Sequence, residues 1–460
     1  MKRTAALFVV LLAAACAAQA PAPLDSRGIE RIDHVVVLFQ ENWSFDGLFG
    51  KFPGANGLAN AANALPQSDK NGNVYAVLPP SIGPDNKPDP RIPKDLPNAP
   101  FDLAKYVPPT EKAGNPIHLF YQNQHQIDGG KNDRFVAWTQ AGGLVMSYYD
   151  ASDYPLGKIA KRFTLADDFF MGAFGGSFLN HFWLVCACTP EWKDAPPAIR
   201  AVLDDKGMLV KDGAVTPDGY VVNTSYTVNT PHPASIKDPS RLMPSQTLPT
   251  IGERLSEKGI SWAWYSGGWN DALAGHPHPV FQYHHQPFAY FAAYADGTEA
   301  KKKHLLDEEE FWKAVKEGNL PAVSFVKPIG PLNEHPGYAD VMSGQQHIAK
   351  IIEAIMASPQ WKSTAIIVTY DENGGRWDHV APPVVDRWGP GTRVPAVIVS
   401  PYARRGFVDH TPYDTTSILR FIEKRWGLAP LGPRDAAVND LTNAFDFNTD
   451  PDRMPRRTGW

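Results

Sequence analysis

The chain has 460 residues, 43% hydrophobic and 20% charged, enough for a large α/β core and typical of a soluble globular protein. A net charge of −5 excludes the basic field that a nucleic-acid backbone requires.

In chain order, the first element is an export signal. "MKR" is a positive start, "TAALFVVLLAAA" an apolar stretch too short to span a bilayer, and "ACAAQAPAP" a small-residue exit. We read residues 1–18 as a signal peptide, 19–30 as a tether and 31–460 as a single domain. Cleavage before Gln19 competes with lipidation of Cys16, but Ala13 fits a lipoprotein signal poorly. Soluble export to the periplasm or the medium of a bacterium is the favoured reading.

Strand-length apolar runs follow at 34–40, 261–266, 322–328, 364–370 and 394–401. Continuous aliphatic runs suit strands covered on both faces. Helical patterns alternate with them. Residues 250–259 run from a Thr250 cap to Gly259, residues 343–361 carry an isoleucine stripe, and residues 414–427 end in Gly427. This alternation predicts an α/β sandwich around a largely parallel sheet. Residues 76–116 and 189–249, rich in Pro, Asn, Asp and Gly, read as long rim loops or small β insertions. Cys186 and Cys188, one residue apart, predict either two buried thiols or an unusual local disulfide. With no second pair in the mature chain they exclude a zinc ribbon.

Ligands of open α/β sheets bind beyond the carboxyl ends of the strands. There the first strand runs into Glu41 and Asn42, and a later one into Asp371 and Glu372. Four hard oxygen donors suit a divalent cation, whereas any one of them alone reads better as a turn or cap residue. Ser177 follows two glycines and opens an apolar segment of helical length. It is a candidate nucleophile beside backbone N–H groups that favour phosphate, or an ordinary helix cap. His125, His284, His285, His335 and His379 lie beside Gly, Pro or Asp in loop-like contexts. Together they suggest phosphate ligands or acid–base groups, some of them bystanders. No HExxH pattern points to a zinc protease.

The stretches "DHVVVLFQENWSFDGLFGKFPGANG", "GGSFLNHFWL", "YHHQPF", "NEHP" and "YDENGGRWDHV" occur in an order that resembles the bacterial phosphoesterases, the group containing phospholipases C and acid phosphatases. The likeness runs over residues 31–425. It implies an alkaline-phosphatase-like three-layer α/β fold and a divalent metal held by Glu41, Asn42, Ser177, Asp371 and Glu372. The metal is left open among Mg, Ca, Mn, Fe and Zn. The likeness further implies Ser177 as nucleophile, His125, His285 and His335 as active-site histidines, and His284 as an additional one. His379 joins His284 as a substrate-binding candidate.

Two departures bear on substrate. Phospholipases C of the family usually have Thr at the position of Ser177 and often Asp at that of Gly374, and many carry C-terminal β modules for which this chain has no room after residue 430. Both favour a phosphomonoesterase of acid phosphatase type. The alternatives are a phospholipase C-type phosphodiesterase, with aromatic stretches and peripheral lipid contact serving acyl chains, and a catalytically silent envelope protein that binds phosphorylated ligands.

Overall fold

The computed structural model describes residues 28–453; the expected signal peptide, with Cys16, and most of the tether lie outside the described residues. Eight strands form the main sheet: β1 His34–Gln40, β2 Thr164–Ala166, β3 Trp262–Ser266, β4 Leu305–Leu306, β5 Val323–Lys327, β6 Thr364–Tyr370, β7 Ala396–Val399 and β8 Phe407–Asp409. Their order is β8-β2-β7-β6-β1-β5-β3-β4. Only β7 runs against its neighbours, and every other pairing in this sheet is parallel. The longest strands, β1 and β6, are the aliphatic runs that sequence periodicity identifies. Strands β2, β4 and β8 have two or three residues each, too few for any periodicity to be visible.

Five helices matter for the site: α1 Ser177–Cys186, α2 Ile251–Glu257, α3 Glu308–Glu317, α4 Val341–Ala357 and α5 Thr416–Trp426. Successive strand residues point to opposite faces, and this sorts the helices into two layers. Phe39 of β1 meets His181 of α1 edge-on, with ring centroids 5.0 Å apart. The next residue, Gln40, turns the other way and donates to Glu334 at 3.0 Å, beside α4. In β3, Trp264 faces His181 and Tyr265 faces Phe311 of α3. Helices α1, α2 and α5 therefore cover one face, and α3 and α4 the other. On α4 the expected stripe of Ile348, Ile351, Ile352 and Ile355 is wholly buried, each side chain contributing about 2–3 kcal/mol of transfer free energy.

The rim loops carry local structure of their own. Residues 202–203 and 209–211 pair as a small hairpin, and isolated bridges tie Val77 to Pro97 and Ile82 to Pro88. Cys186 and Cys188 are joined as a disulfide, with their Cα atoms 5.1 Å apart. The intervening Ala187 is left-handed, with φ 47°. A helix terminus therefore brings the two sulfurs together. The aromatic stretches suggested as an acyl path are core. Phe182 packs on Tyr290 and Phe291, and Phe288 on Trp262.

Candidate active site

The strand register builds the floor of the site. Gln40 of β1 pairs with Tyr370 of β6, so the residues that follow each strand leave the sheet side by side. The Asp371 N–H donates to the Gln40 carbonyl at 3.0 Å. Glu41, Asn42, Asp371 and Glu372 are all completely buried. The twin acids at 371–372 are thus not solvated, and cationic or N–H groups must compensate them. Lys327, the last residue of β5, does so most directly. Its ammonium lies 2.8 Å from Glu41 Oε1 and 3.5 Å from Asp371 Oδ2.

Ser177 arrives from the other side, as the first residue of α1. Gly176 before it has His118 at its back. A Cβ there would lie 2.6 Å from the His118 carbonyl, so only glycine lets the two backbones touch. The Ser177 hydroxyl points at Glu41 Oε2, 3.5 Å away. Histidines complete the ring. His285 Nε2 is 2.5 Å from Glu41 Oε1, and His335 Nε2 is 3.7 Å from Glu41 Oε2. His118 Nε2 lies 3.4 Å from the Asn42 amide and 3.8 Å from Glu372. His181, one helical turn after Ser177, stacks on His285 and lies 3.8 Å from Asp371 Oδ2. A cavity of about 260 Å³ opens above, lined by Glu41, Ser177, His118, His284, His285 and His335, with Asn115, Asn223, Gln282 and Tyr338 among the residues around it.

The electrostatics of this cluster follow from burial. Burial raises the Glu41 carboxyl, but Lys327, His285 and His335 outweigh it and hold the group well below the usual range. Burial and the charge on Glu41 push Asp371 up to about 8. Burial and Asp371 push Glu372 well up. Burial lowers His118 and His285 to about 4, and lowers His181, His284 and His335 as well. The histidines are therefore neutral at ordinary pH, able to donate one N–H and to accept at the other nitrogen.

A divalent cation fits this donor set. Glu41, His181 and His285 each offer a ligand atom, all within 4.8 Å of one another. The buried Asn42 Oδ1, Glu372 Oε1 and His181 Nε2 have no hydrogen-bond partner. Oxygen-rich sets of this kind, with imidazole nearby, are what such cations bind.

Two expected site histidines do not line this cavity. His125 stacks on Trp138 at 4.1 Å, among Lys70, Arg134 and Asp128. His379 donates its backbone N–H to Asp46 Oδ2 at 2.8 Å and brings its Nδ1 to the same oxygen at 2.6 Å. Asp46, Asp378 and His379 cluster closely enough to ligate a cation, but Arg393 already supplies one. Its Nε lies 2.9 Å from Asp378 and its Nη2 3.4 Å from Asp46. That cluster reads as a buried ion network that ties the 371–380 loop to the segment after β1.

His118, His181 and Lys327 line or support the site without having been singled out from the sequence. His181 carries the one clear signal, since it stands four residues after Ser177 on the same helix face. A second cavity, of about 650 Å³, lies at the far end of α1, among Trp183, Cys188, Val385, Trp388 and Val438. Among the described residues no helix is long and apolar enough to cross a membrane.

Comparison with known proteins adds to this geometry. A model of the phosphoesterase family matches residues 32–429. Phospholipase C B of Mycobacterium tuberculosis is 27% identical over 91% of this chain and 78% of its own length. The non-hemolytic phospholipase C of Pseudomonas aeruginosa is 24% identical over 95% of this chain and 60% of that protein. Among solved structures, a protein in the alkaline phosphatase superfamily from Vibrio parahaemolyticus aligns at a TM-score of 0.35 and 12% identity, over 72% of this chain and 73% of that one.

Proposed function

The chain belongs to the phosphoesterase family and is a hydrolase of phosphoric ester bonds; from that premise we propose that Ser177 is its nucleophile and that Glu41, Asn42, Asp371 and Glu372 hold a divalent cation beside it. One observation carries the reading: the Ser177 hydroxyl opens a helix at the wall of a cavity floored by buried carboxylates and ringed by neutral histidines. The cation, when bound, would supply Lewis-acid stabilisation of charge on the phosphoryl oxygens and favour the serine alkoxide.

The chain's own residues do the rest. Ser177 Oγ attacks phosphorus, its proton leaves to a neighbouring base, and the bond from phosphorus to the leaving alcohol breaks in line. The N–H groups at the start of α1, with Asn115, receive the equatorial oxygens. His118 and His335, whose Nδ1–H groups donate to the Pro116 and Pro336 carbonyls, present Nε2 as an acceptor, so one of them takes the serine proton and returns it to the leaving oxygen, while His285 orients Glu41. Water then hydrolyses the phosphoserine.

For the substrate, the similar curated proteins favour a phospholipase C-type diester. This weighs against the monoester preference drawn from Ser177 and Gly374. One observation keeps the monoester as a second reading: the cavity is small and lined mostly by polar side chains. Export is supported by the N-terminal segment and by the Cys186–Cys188 disulfide, which oxidising compartments sustain.

The test is Ser177→Ala assayed on p-nitrophenyl phosphate, bis(p-nitrophenyl) phosphate and phosphatidylcholine vesicles, each with divalent metal supplied. Turnover should fall at least about 1000-fold on whichever ester the wild type cleaves, with far-UV circular dichroism unchanged. Activity within ten-fold of wild type would exclude serine as nucleophile. The ester turned over fastest by the wild type separates the two substrate readings.

A further inference from the structure

Two irregularities of the fold meet at the Glu334 side chain. The Glu334 backbone is left-handed, with φ 72°, a conformation for which glycine is the ordinary choice. Opposite it, α4 carries a glycine in its first turn, Gly344, where a Cβ would collide with the Glu334 Cγ. A strained backbone on one side and a helix thinned by a glycine on the other make room for one side chain.

That side chain is buried, and three elements grip its carboxylate. Gln40, the last residue of β1, donates to Oε1 at 3.0 Å. Tyr370, the last residue of β6, donates to Oε2 at 2.9 Å, and Gln345 of α4 donates to the same oxygen at 3.2 Å. The Glu334 carbonyl accepts from Trp43 Nε1 at 3.2 Å.

The next residue is His335. Its Nδ1 is held by the Pro336 carbonyl at 2.6 Å, and its ring stacks on Tyr338 at 4.2 Å. Its Nε2 lies 3.7 Å from Glu41 Oε2, the oxygen to which the Ser177 hydroxyl points. His118 Nε2 faces Asn42 and Glu372 instead. Of these two histidines, His335 is the one that shares an oxygen with the serine.

We propose that Glu334 is a positioning residue: it locks the ends of β1 and β6 to α4 and so sets His335 where Nε2 takes the serine proton and returns it to the leaving oxygen. This rests on the reading above and deepens it by choosing His335 over His118. The grip depends on shape and not on charge. Gln40 Oε1 has no partner, so a turned Gln40 amide accepts from a glutamine at 334 where it now donates to the glutamate.

The experiment measures kcat/KM for the dinitrophenyl, p-nitrophenyl and phenyl esters of phosphate or of methyl phosphate, whichever class the wild type cleaves, with divalent metal supplied. The less acidic the leaving phenol, the more its departure needs a proton. Glu334→Ala should lose about 100-fold on the phenyl ester and less than about ten-fold on the dinitrophenyl ester. Glu334→Gln should stay within about three-fold of wild type on all three. Glu334→Ala combined with His335→Ala should lose no more than His335→Ala by itself. A Glu334→Ala loss equal on all three esters would mark a merely structural role and overturn the proposal. So would full activity, or a Glu334→Gln loss as deep as that of Glu334→Ala. Should Glu334→Ala not fold, Tyr370→Phe, which removes one of the three donors, should show the same leaving-group dependence at smaller scale, and a flat loss or none refutes it. The trend is read whatever the nucleophile. If Ser177→Ala stays active while Glu334→Ala shows the leaving-group dependence, the serine assignment fails and this one stands.

Discussion

Gly374 sits where the loop after β6 crosses the backbone of Asn42, and replacing it with alanine tests how tightly that crossing holds the site. Its φ is +62°, and an added Cβ would lie 2.3 Å from the Asn42 carbonyl oxygen and 3.0 Å from the Asn42 Cβ, where ordinary contact begins at 3.4 Å. The left-handed backbone alone costs alanine about 1–2 kcal/mol. Relieving the clash requires the two segments to part by roughly 1 Å, and a misplacement of that size costs about 100-fold in rate. Gly374→Ala should therefore lose more than that backbone cost of about 1–2 kcal/mol in urea unfolding and about 100-fold in kcat on the best ester substrate. Gly72→Ala is the control, because it carries a φ of +87° with nothing within 4 Å. It should lose only the backbone cost and no activity. A Gly374→Ala enzyme with kcat within three-fold of wild type would refute the claim that this crossing sets the position of Asn42.

Two further expectations concern parts away from the reacting groups. Burial first, and then the neighbouring Asp435, raise the Glu423 carboxyl from 4.5 to about 9. A group raised in the native state lends stability that is complete below the unfolded value and is lost as pH rises through the native one. Wild type should therefore lose stability between about pH 5 and 9 relative to Glu423→Gln; parallel unfolding midpoints across that window would contradict the assignment. The Cys186–Cys188 bond closes a very short ring, so the double replacement with alanine should cost no more than about 2 kcal/mol and leave kcat within two-fold. A larger loss of activity would mean that the far end of α1 communicates with Ser177.

Much of this site can be read from the chain because its central strands announce themselves. Strands β1 and β6 are unbroken aliphatic runs, and whatever follows such a run in a parallel sheet emerges at the binding edge. That logic reaches Glu41, Asn42, Asp371 and Glu372 directly. It applies equally to Lys327 at the end of β5, which went unmarked because a lone lysine after an apolar run reads as a solvated strand end. Helix α2 was legible for a local reason as well: Thr250 and Glu253 cap each other reciprocally. His118 and His125 show where local reading stops. His118 stands just before the helix Phe120–Ile127 and His125 within it, and only the distant Trp138 and Glu372 decide which of them packs away and which faces the cavity. His379 is likewise claimed by Asp46, more than three hundred positions earlier, which no local pattern reports.

The position of β1 between β5 and β6 also bears on how the molecule comes into being. The first strand to leave the ribosome waits for partners that are made in the last third of the chain. Until residues 323–370 arrive, a seven-residue strand whose middle, Val35 to Phe39, is wholly apolar has both hydrogen-bonding edges unsatisfied. Such long-range pairing is slow and exposes the chain to aggregation. A nascent polypeptide of this design depends on a holding factor, or on late collapse, to keep that strand unpaired until its neighbours exist.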